Sequence, residues 1–209
     1  MFNRIYHNKR VLITGHTGFK GSWLALWLST MGATVTGYSL PPPTELNHSD
    51  LLELDINSLI GDIRDAEKLK RVFKEQQPEI VFHLAAQPIV RFSYKDPVET
   101  FSSNVMGTIN VFEASRESDT VRAIVNVTSD KCYENREWPW GYREIDPLGG
   151  FDPYSASKGC AEIITSCWRS SFFNIEHYGN SHHTLLSSCR AGNVIGGGDW
   201  ATDRRRARN

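Results

Sequence analysis

Short apolar runs alternate along the chain with longer stretches whose apolar positions recur at helical spacing. RVLIT (10–14) reads as a strand, and FKGSWLALWLSTM (19–31) as a helix ending at Gly32. ATVTGYS (33–39) is a second strand, followed by a proline-rich loop, PPPTELNHSDLLELD. INSLIGD (56–62) is a third strand, DAEKLKRVFKEQ (65–76) a helix and EIVFHLAA (79–86) a fourth strand. A long helix is predicted from about Pro97 to Ser115, a strand over VRAIVNVTS (121–129) and a helix from Pro153 to about Phe173. TLLSSCRAGN (184–193) is a last, more polar strand, expected at a sheet edge. Strands that are apolar on both faces and alternate with helices predict an α/β fold, a Rossmann-type doubly wound parallel sheet with helices on both faces.

Composition narrows the partners. The 209 residues are 40% hydrophobic and 22% charged, with a net charge of −1. That balance argues against a general nucleic-acid or membrane-surface role. No apolar stretch approaches the roughly 20 residues that span a bilayer. The N-terminal apolar run is too short for a signal peptide, so a cytoplasmic protein is expected. The four cysteines form no C-x-x-C pair and no zinc-type cluster, so they are read as reduced and mostly packed, with no metal. Residues 201–209 read as a solvated, disordered basic tail.

The first candidate chemistry follows the first strand. Gly15, Gly18 and Gly21 stand at G-x-x-G-x-x-G spacing between a strand and a helix. Gly15 permits a tight turn, Gly18 lets the backbone approach a pyrophosphate, and Gly21 lets the helix pack close to the strand. The helix N-terminus offers N–H groups to the phosphates. The acid that usually grips the adenosine ribose is absent: the second strand ends Tyr38-Ser39-Leu40, without an arginine for a 2′-phosphate either. NAD and NADP both stay open on these residues. Asp62 either reaches the adenine region or caps the helix beginning near Asp65.

Tyr154 and Lys158 stand at i, i+4 and share a helical face. A nearby ammonium stabilises a phenolate, which makes Tyr154 a usable acid/base. Farther upstream, TSDKCY (128–133) sets Asp130 beside Lys131 at the end of an apolar strand. Either reactive groups are grouped there, or the turn carries an exposed ion pair.

TGHTGFKG, FHLAAQ, SNVMGT, TSDKCY, YSASK and RAGNVIGGGDW follow one another in order over about residues 5–203. In these motifs the chain resembles the extended short-chain dehydrogenase/reductase family. Within that family it is similar to the sugar-nucleotide 4,6-dehydratases. SDK, in place of the TDE of the dTDP-glucose enzymes, points to the CDP-glucose branch. The resemblance implies NAD-dependent dehydration of CDP-D-glucose to CDP-4-keto-6-deoxy-D-glucose, serving deoxysugar synthesis. It implies that Tyr154 is the base at the C4 hydroxyl, tuned by Lys158, and that Ser129 hydrogen-bonds the same oxygen. Asp130 protonates the departing C6 hydroxyl, and Lys131 removes the C5 proton. A lysine base must be neutral, and a protonated Asp130 removes the conflict between the two neighbours. The implied cofactor cradle is Gly15, Thr17, Gly18, Phe19, Lys20, Gly21, Asp62, Ile63, Leu84, Ala85, Ala86, Gln87, Asn104 and Val127, with Tyr154 and Lys158. Asn104 fixes water and backbone geometry near Lys158. Arg190 and Asn193 reach sugar or phosphate, or serve the loop.

The remaining expectations are structural. His83 is read as a satisfied core histidine, and Trp23 and Trp27 as packing residues on one helical face. The helices near 97–115 and 153–173 carry surplus apolar residues, and such helices pair in the family's dimers, so a homodimer is expected. Family members continue well past GGGDWA. Residues 1–200 are therefore expected to form the cofactor domain with the catalytic residues, and most of a C-terminal substrate domain is expected to be missing. The alternatives are a nucleotide-sugar epimerase or reductase of the same superfamily, and a truncated NAD-binding module without turnover.

Overall fold

The computed structural model describes residues 2–42 and 44–192. Six strands form one parallel sheet: β1 (Arg10–Thr14), β2 (Thr34–Ser39), β3 (Asn57–Ile60), β4 (Ile80–His83), β5 (Ala123–Val127) and β6 (Leu185–Cys189). Their order is β3-β2-β1-β4-β5-β6. β1 pairs with β2 on one side and β4 on the other, with Thr14 opposite both Tyr38 and His83. The chain therefore reverses direction across the sheet at β1/β4, where open α/β sheets form a crevice outside the strand ends.

β1 is buried on both faces, as an apolar run between helical layers should be. Leu12 packs on one side with Leu69, Val72 and Phe73 of α3 (Ala66–Gln76) and with Val111 and Phe112. Val11 and Ile13 pack on the other with Ala25 and Leu28 of α1 (Phe19–Thr30). Each of these side chains is at least nine-tenths hidden from water, which removes the apolar area that drives folding. Local signals set the helix ends. α3 starts at Asp65, whose carboxylate accepts the Lys68 N–H, and stops at Gln77 in the left-handed region before Pro78.

Several elements differ from the sequence expectation. The proline-rich loop contains a short helix, α2 (His48–Leu51), capped by Asn47, and α4 (Val90–Lys95) precedes the long helix. The long helix is not uniform. It runs as α5 (Pro97–Phe101), a π-helical turn over Ser102–Met106, and α6 (Gly107–Arg116). The polar strand β6 lies at a sheet edge among the described residues, with Leu186 inward and Leu185 exposed. Trp23 and Trp27 are about half exposed, and their packing is peripheral: Trp23 lies over the His48 ring at 4.4 Å and Trp27 meets Phe2. The cysteines are free, but only Cys132 is buried; Cys167 and Cys189 are exposed, which corrects their reading as mostly packed. Asn193 and the 201–209 tail lie outside the described residues.

Candidate active site

Two loops meet at the β1/β4 switch point. Gly15 has φ +79°, and a Cβ there would lie 2.8 Å from the Ala85 nitrogen. Gly21 is held tighter still, since its Cβ would lie 2.1 Å from the Gly15 carbonyl oxygen. Gly18 is different: it is the N-cap of α1, offers no side-chain cap, and a Cβ on it would meet only the Gly15 oxygen at 3.3 Å. The loop is a cradle closed by backbone at Gly15 and Gly21, open at Gly18 and continued by the start of a twelve-residue helix. That is the donor arrangement a dinucleotide pyrophosphate requires.

The second loop, Leu84–Gln87, is fixed from both ends. Thr14 Oγ1 accepts the Ala85 N–H at 3.2 Å and contacts His83 Nδ1 at 2.7 Å. His83 Nε2 reaches Thr108 Oγ1 at 3.0 Å, and that hydroxyl donates to the Asn104 carbonyl. His83 is thus the satisfied core histidine expected, and burial pushes its pKa down to about 3. Asn104, inside the π-helical turn, accepts the Gln87 N–H with Oδ1 and donates from Nδ2 to the Gln87 carbonyl and Ser157 Oγ. Single π turns often mark functional positions in helices.

Ser157 belongs to α7 (Pro153–Ser171). Asp152 caps that helix by accepting the Ser155 N–H, and Pro153 occupies its first turn. This start sets Tyr154 and Lys158 on successive turns, and both are buried. Burial, reinforced by the Lys20 charge, pushes Lys158 down to about 8. Gly15 packs against Leu84 and Ala85, and Asn104 ties Gln87 of that same loop to Ser157 of α7, so the glycine loop and α7 meet at one crevice.

At the carboxyl end of β5, Ser129 opens a 3₁₀ turn over Asp130–Cys132. Its Oγ donates to Asp130 Oδ1 and accepts the Lys131 N–H. Lys131 and Asp130 form an ion pair at 3.7 Å, with side chains 52% and 41% exposed. Such a pair adds at most about 1 kcal/mol to stability. The turn rests against α7, where a Cβ on Gly159 would lie 3.5 Å from the Cys132 carbonyl. Ser129, Asp130 and Lys131 therefore flank the helix that bears Tyr154 and Lys158.

Other expected residues divide. Thr17 Oγ1 donates to the Leu40 carbonyl and contacts Ser39 Oγ, so it joins the loop to the end of β2. Ile63 is buried against Gly107, Leu84 N–H donates to the Thr14 carbonyl, and Ala86 and Val127 are half-buried. Phe19 lies 5.8 Å from the His48 ring. Asp62 does not cap α3, a task Asp65 performs; Arg64 binds it, which holds its carboxyl below the usual range. Arg190 contacts protein groups: Glu162, Tyr133 and the Glu144 carbonyl. Sequence reasoning missed His16, Ser157 and Glu162. His16 contacts Ser58 and Ser39 where the ribose acid usually stands, and burial pushes it down to about 4. All three lie in or just beyond the quoted motifs, but their partners are distant in sequence.

This sheet, glycine cradle and Tyr-x-x-x-Lys helix define an extended short-chain dehydrogenase/reductase fold. The family model for GDP-mannose 4,6 dehydratase matches residues 12–181, and the chain belongs to that family. It is 58% identical over 201 residues to the CDP-glucose 4,6-dehydratase of Salmonella typhimurium, covering 95% of this chain and 56% of that one. Among solved structures, the epimerase Mth375 of Methanothermobacter thermautotrophicus superposes with TM-score 0.72 at 29% identity, over 81% of this chain and 50% of its own. The UDP-glucose 4-epimerase of Thermus thermophilus, solved in complex with NAD, gives 0.69 at 30% identity, over 78% and 52%. The chain thus spans about half the length of each of these relatives.

Proposed function

We propose that this chain carries the cofactor-binding and acid–base half of a sugar-nucleotide 4,6-dehydratase that converts CDP-D-glucose to CDP-4-keto-6-deoxy-D-glucose and water. The observation that carries this reading is the seat of Asp130 and Lys131, on a turn anchored by Ser129 and backed by α7 beside Lys158. An epimerase has no use for that couple, because epimerisation eliminates nothing at C6.

A nicotinamide dinucleotide, when bound along Gly15–Gly21 and Leu84–Gln87, would supply a reversible hydride carrier, taking a hydride from C4 and giving it back at C6. Tyr154 takes the C4 hydroxyl proton, and the buried Lys158 favours the phenolate it needs. Ser129 donates to the same oxygen as the ketone forms. The ketone acidifies C5, whose proton passes to Lys131 once the proton of the Asp130–Lys131 pair lies on Asp130. Asp130 gives its proton to the C6 oxygen, the C6–O bond breaks and water leaves; as C6 is reduced, Lys131 returns a proton to C5, which completes the 4-keto-6-deoxy sugar. Asn104 holds the loop between the two halves.

NAD is favoured over NADP. A 2′-phosphate calls for a cation at the end of β2, where His16 is held neutral and Ser39 and Thr17 carry hydroxyls; Arg64, which follows β3, is engaged by Asp62 and Glu99. We assign residues 1–200 to the dinucleotide domain and most of the sugar-nucleotide clamp to sequence beyond it.

A homodimer belongs to the same reading. Val98, Met106 and Ile163 are 78%, 51% and 59% exposed on α5, the π-helical turn and α7. A shallow groove of about 470 Å³ runs between Pro97, Val98, Phe101, Val105 and Met106. No helix among the described residues is long and apolar enough to cross a membrane. A cytoplasmic site, where sugar nucleotides and NAD are available, fits the reading.

Incubation with CDP-glucose and NAD tests the function. A product with the alkaline ultraviolet absorbance of a 4-keto-6-deoxy sugar is expected. Lys131→Met is expected to bind NAD but to lose C5 solvent-deuterium exchange. A C4-epimerised product would favour the epimerase, NAD binding without product the binding module, and retained exchange another base. Light scattering should return twice the chain mass; a monomer would refute the dimer.

A further inference from the structure

Glu162 is 4% exposed and stands two turns beyond Tyr154 and one beyond Lys158. Its carboxylate gathers three elements. One oxygen accepts from Thr128, and the other accepts from Ser188 at 2.9 Å and from Arg190 Nη2 at 3.0 Å. Arg190 then uses Nη1 for Tyr133 Oη at 2.8 Å and the Glu144 carbonyl at 3.0 Å, while its guanidinium lies over the Tyr133 ring at 4.9 Å. Thr128 and Tyr133 bracket the Ser129–Cys132 turn. One ion pair, its carboxylate buried and its guanidinium partly exposed, therefore grips the chain immediately before and after Ser129, Asp130 and Lys131. The same turn is tied to β6 and beyond by the Thr128 N–H on the Cys189 carbonyl and the Asp130 N–H on the Ala191 carbonyl.

A buried ion pair is weak support for stability, since desolvating both ions offsets their attraction. What this one supplies is direction. From these contacts we infer that Glu162 and Arg190 are positioning residues for the Ser129–Lys131 turn, holding the proton donor and acceptor of the elimination in register with the α7 base. Neither touches the reacting atoms in this scheme. Arg190 acts through Tyr133, and Glu162 acts through Thr128.

The kinetic half of the test rests on the dehydration reading; the exchange half does not. Arg190→Met keeps the stem and removes both forks, and Arg190→Lys restores the charge with one point of contact. Amide hydrogen exchange in the free chain is expected to quicken about tenfold or more over 128–134, with 10–14 and 80–83 within about twofold of wild type. In turnover, kcat should fall about 100-fold while the sugar-nucleotide KM moves less than about threefold, the mark of misplaced groups rather than lost binding. Reduced cofactor should accumulate, because C4 oxidation outlasts elimination. Arg190→Lys should fall between, and it serves alone if Arg190→Met does not fold. Unchanged exchange over 128–134, or an equal rise across the whole sheet, would overturn the inference. A wild-type chain without product defeats the dehydration reading and leaves exchange to decide the positioning.

Discussion

Asn104 holds both backbone groups of Gln87: its Oδ1 accepts the Gln87 N–H at 2.8 Å, and its Nδ2 donates to the Gln87 carbonyl at 3.0 Å. The same Nδ2 reaches Ser157 Oγ, so one amide joins the loop after β4 to the helix that carries Tyr154. Only 2% of Asn104 is exposed, and water cannot replace those bonds. Asn104→Ala is expected to cost about 2–4 kcal/mol, because two partly buried backbone groups and the Ser157 hydroxyl lose their partner. Asn104→Asp keeps the acceptor but sets a carboxylate against the Gln87 carbonyl, and it should be no more stable than the alanine variant. Urea titration of all three chains checks this; an alanine variant within about 0.5 kcal/mol of wild type would show the clamp to be dispensable.

The glycines of the first loop should separate by experiment. Alanine normally stabilises a helix by about 1 kcal/mol over glycine. At Gly21 the sign reverses, because the added Cβ falls 2.1 Å from the Gly15 oxygen and neither backbone can yield. A loss of about 1–3 kcal/mol, with a lower melting temperature, is expected for Gly21→Ala. Gly18→Ala meets only the Gly15 oxygen, at 3.3 Å, a tight contact relieved by a shift of a few tenths of an ångström, so its melting loss should be smaller than that of Gly21→Ala, while NAD affinity falls because the methyl projects where a phosphate would approach. Calorimetry beside a cofactor titration distinguishes the two, and equal melting of both variants would contradict the assignment.

Some of this is legible from sequence and some is not, for a physical reason. β1, β2, α1, α3 and α7 are written locally: apolar runs or periodic stripes ended by glycine, proline or a capping aspartate. The glycine cradle and the Tyr154–Lys158 couple are local spacings too. α4, six residues with a mixed surface, carries no periodicity to find. The π-helical turn shifts the apolar stripe of a long helix by a single residue, too small a displacement to stand out. The site's fastenings are tertiary. Asn104 and Ser157 are 53 residues apart, and Arg190 meets Glu162 across 28, so neither pairing leaves a mark on spacing. On sequence Arg190 is open to a sugar or phosphate role because an arginine's partner is set by the fold.

Lys158 should make the protein less stable at neutral pH than a neutral residue there. Its pKa falls from 10.5 in the unfolded chain to about 8 in the fold, chiefly by burial. Between those values the unfolded chain binds the extra proton, so stability rises with pH through that window. Below about pH 8 the full cost of the buried ammonium is present, roughly 3 kcal/mol. Lys158→Met is expected to raise the melting temperature at pH 7 by a few degrees and to flatten the stability curve between pH 8 and 10. It should also abolish turnover. A variant that melts lower at pH 7 would show that the ammonium has a compensating partner.

His83 should stay neutral well into acid. Thr108 Oγ1 donates to the Asn104 carbonyl, so it must accept from His83 Nε2–H, which leaves Nδ1 to accept from Thr14. Thr14 in turn accepts the Ala85 N–H, and the relay from Ala85 to Asn104 is complete with one tautomer. A proton on Nδ1 would face an oxygen that already takes the Ala85 N–H, and Thr14 would lose its own acceptor. Burial, aided by the Lys158 charge, pushes the imidazole in the same direction, to about 3. The unfolded chain takes up a proton near pH 6.5 that the native histidine refuses. Stability is therefore lost as pH falls from 6.5 towards 3, at up to about 1.4 kcal/mol per unit. Nitrogen NMR should show the Nε2–H tautomer unchanged from pH 8 to 4.5. His83→Gln should flatten the limb between about pH 6.5 and 5.5, above the range in which unfolded carboxylates titrate. An imidazole titrating near 6.5 in the folded chain would break the relay.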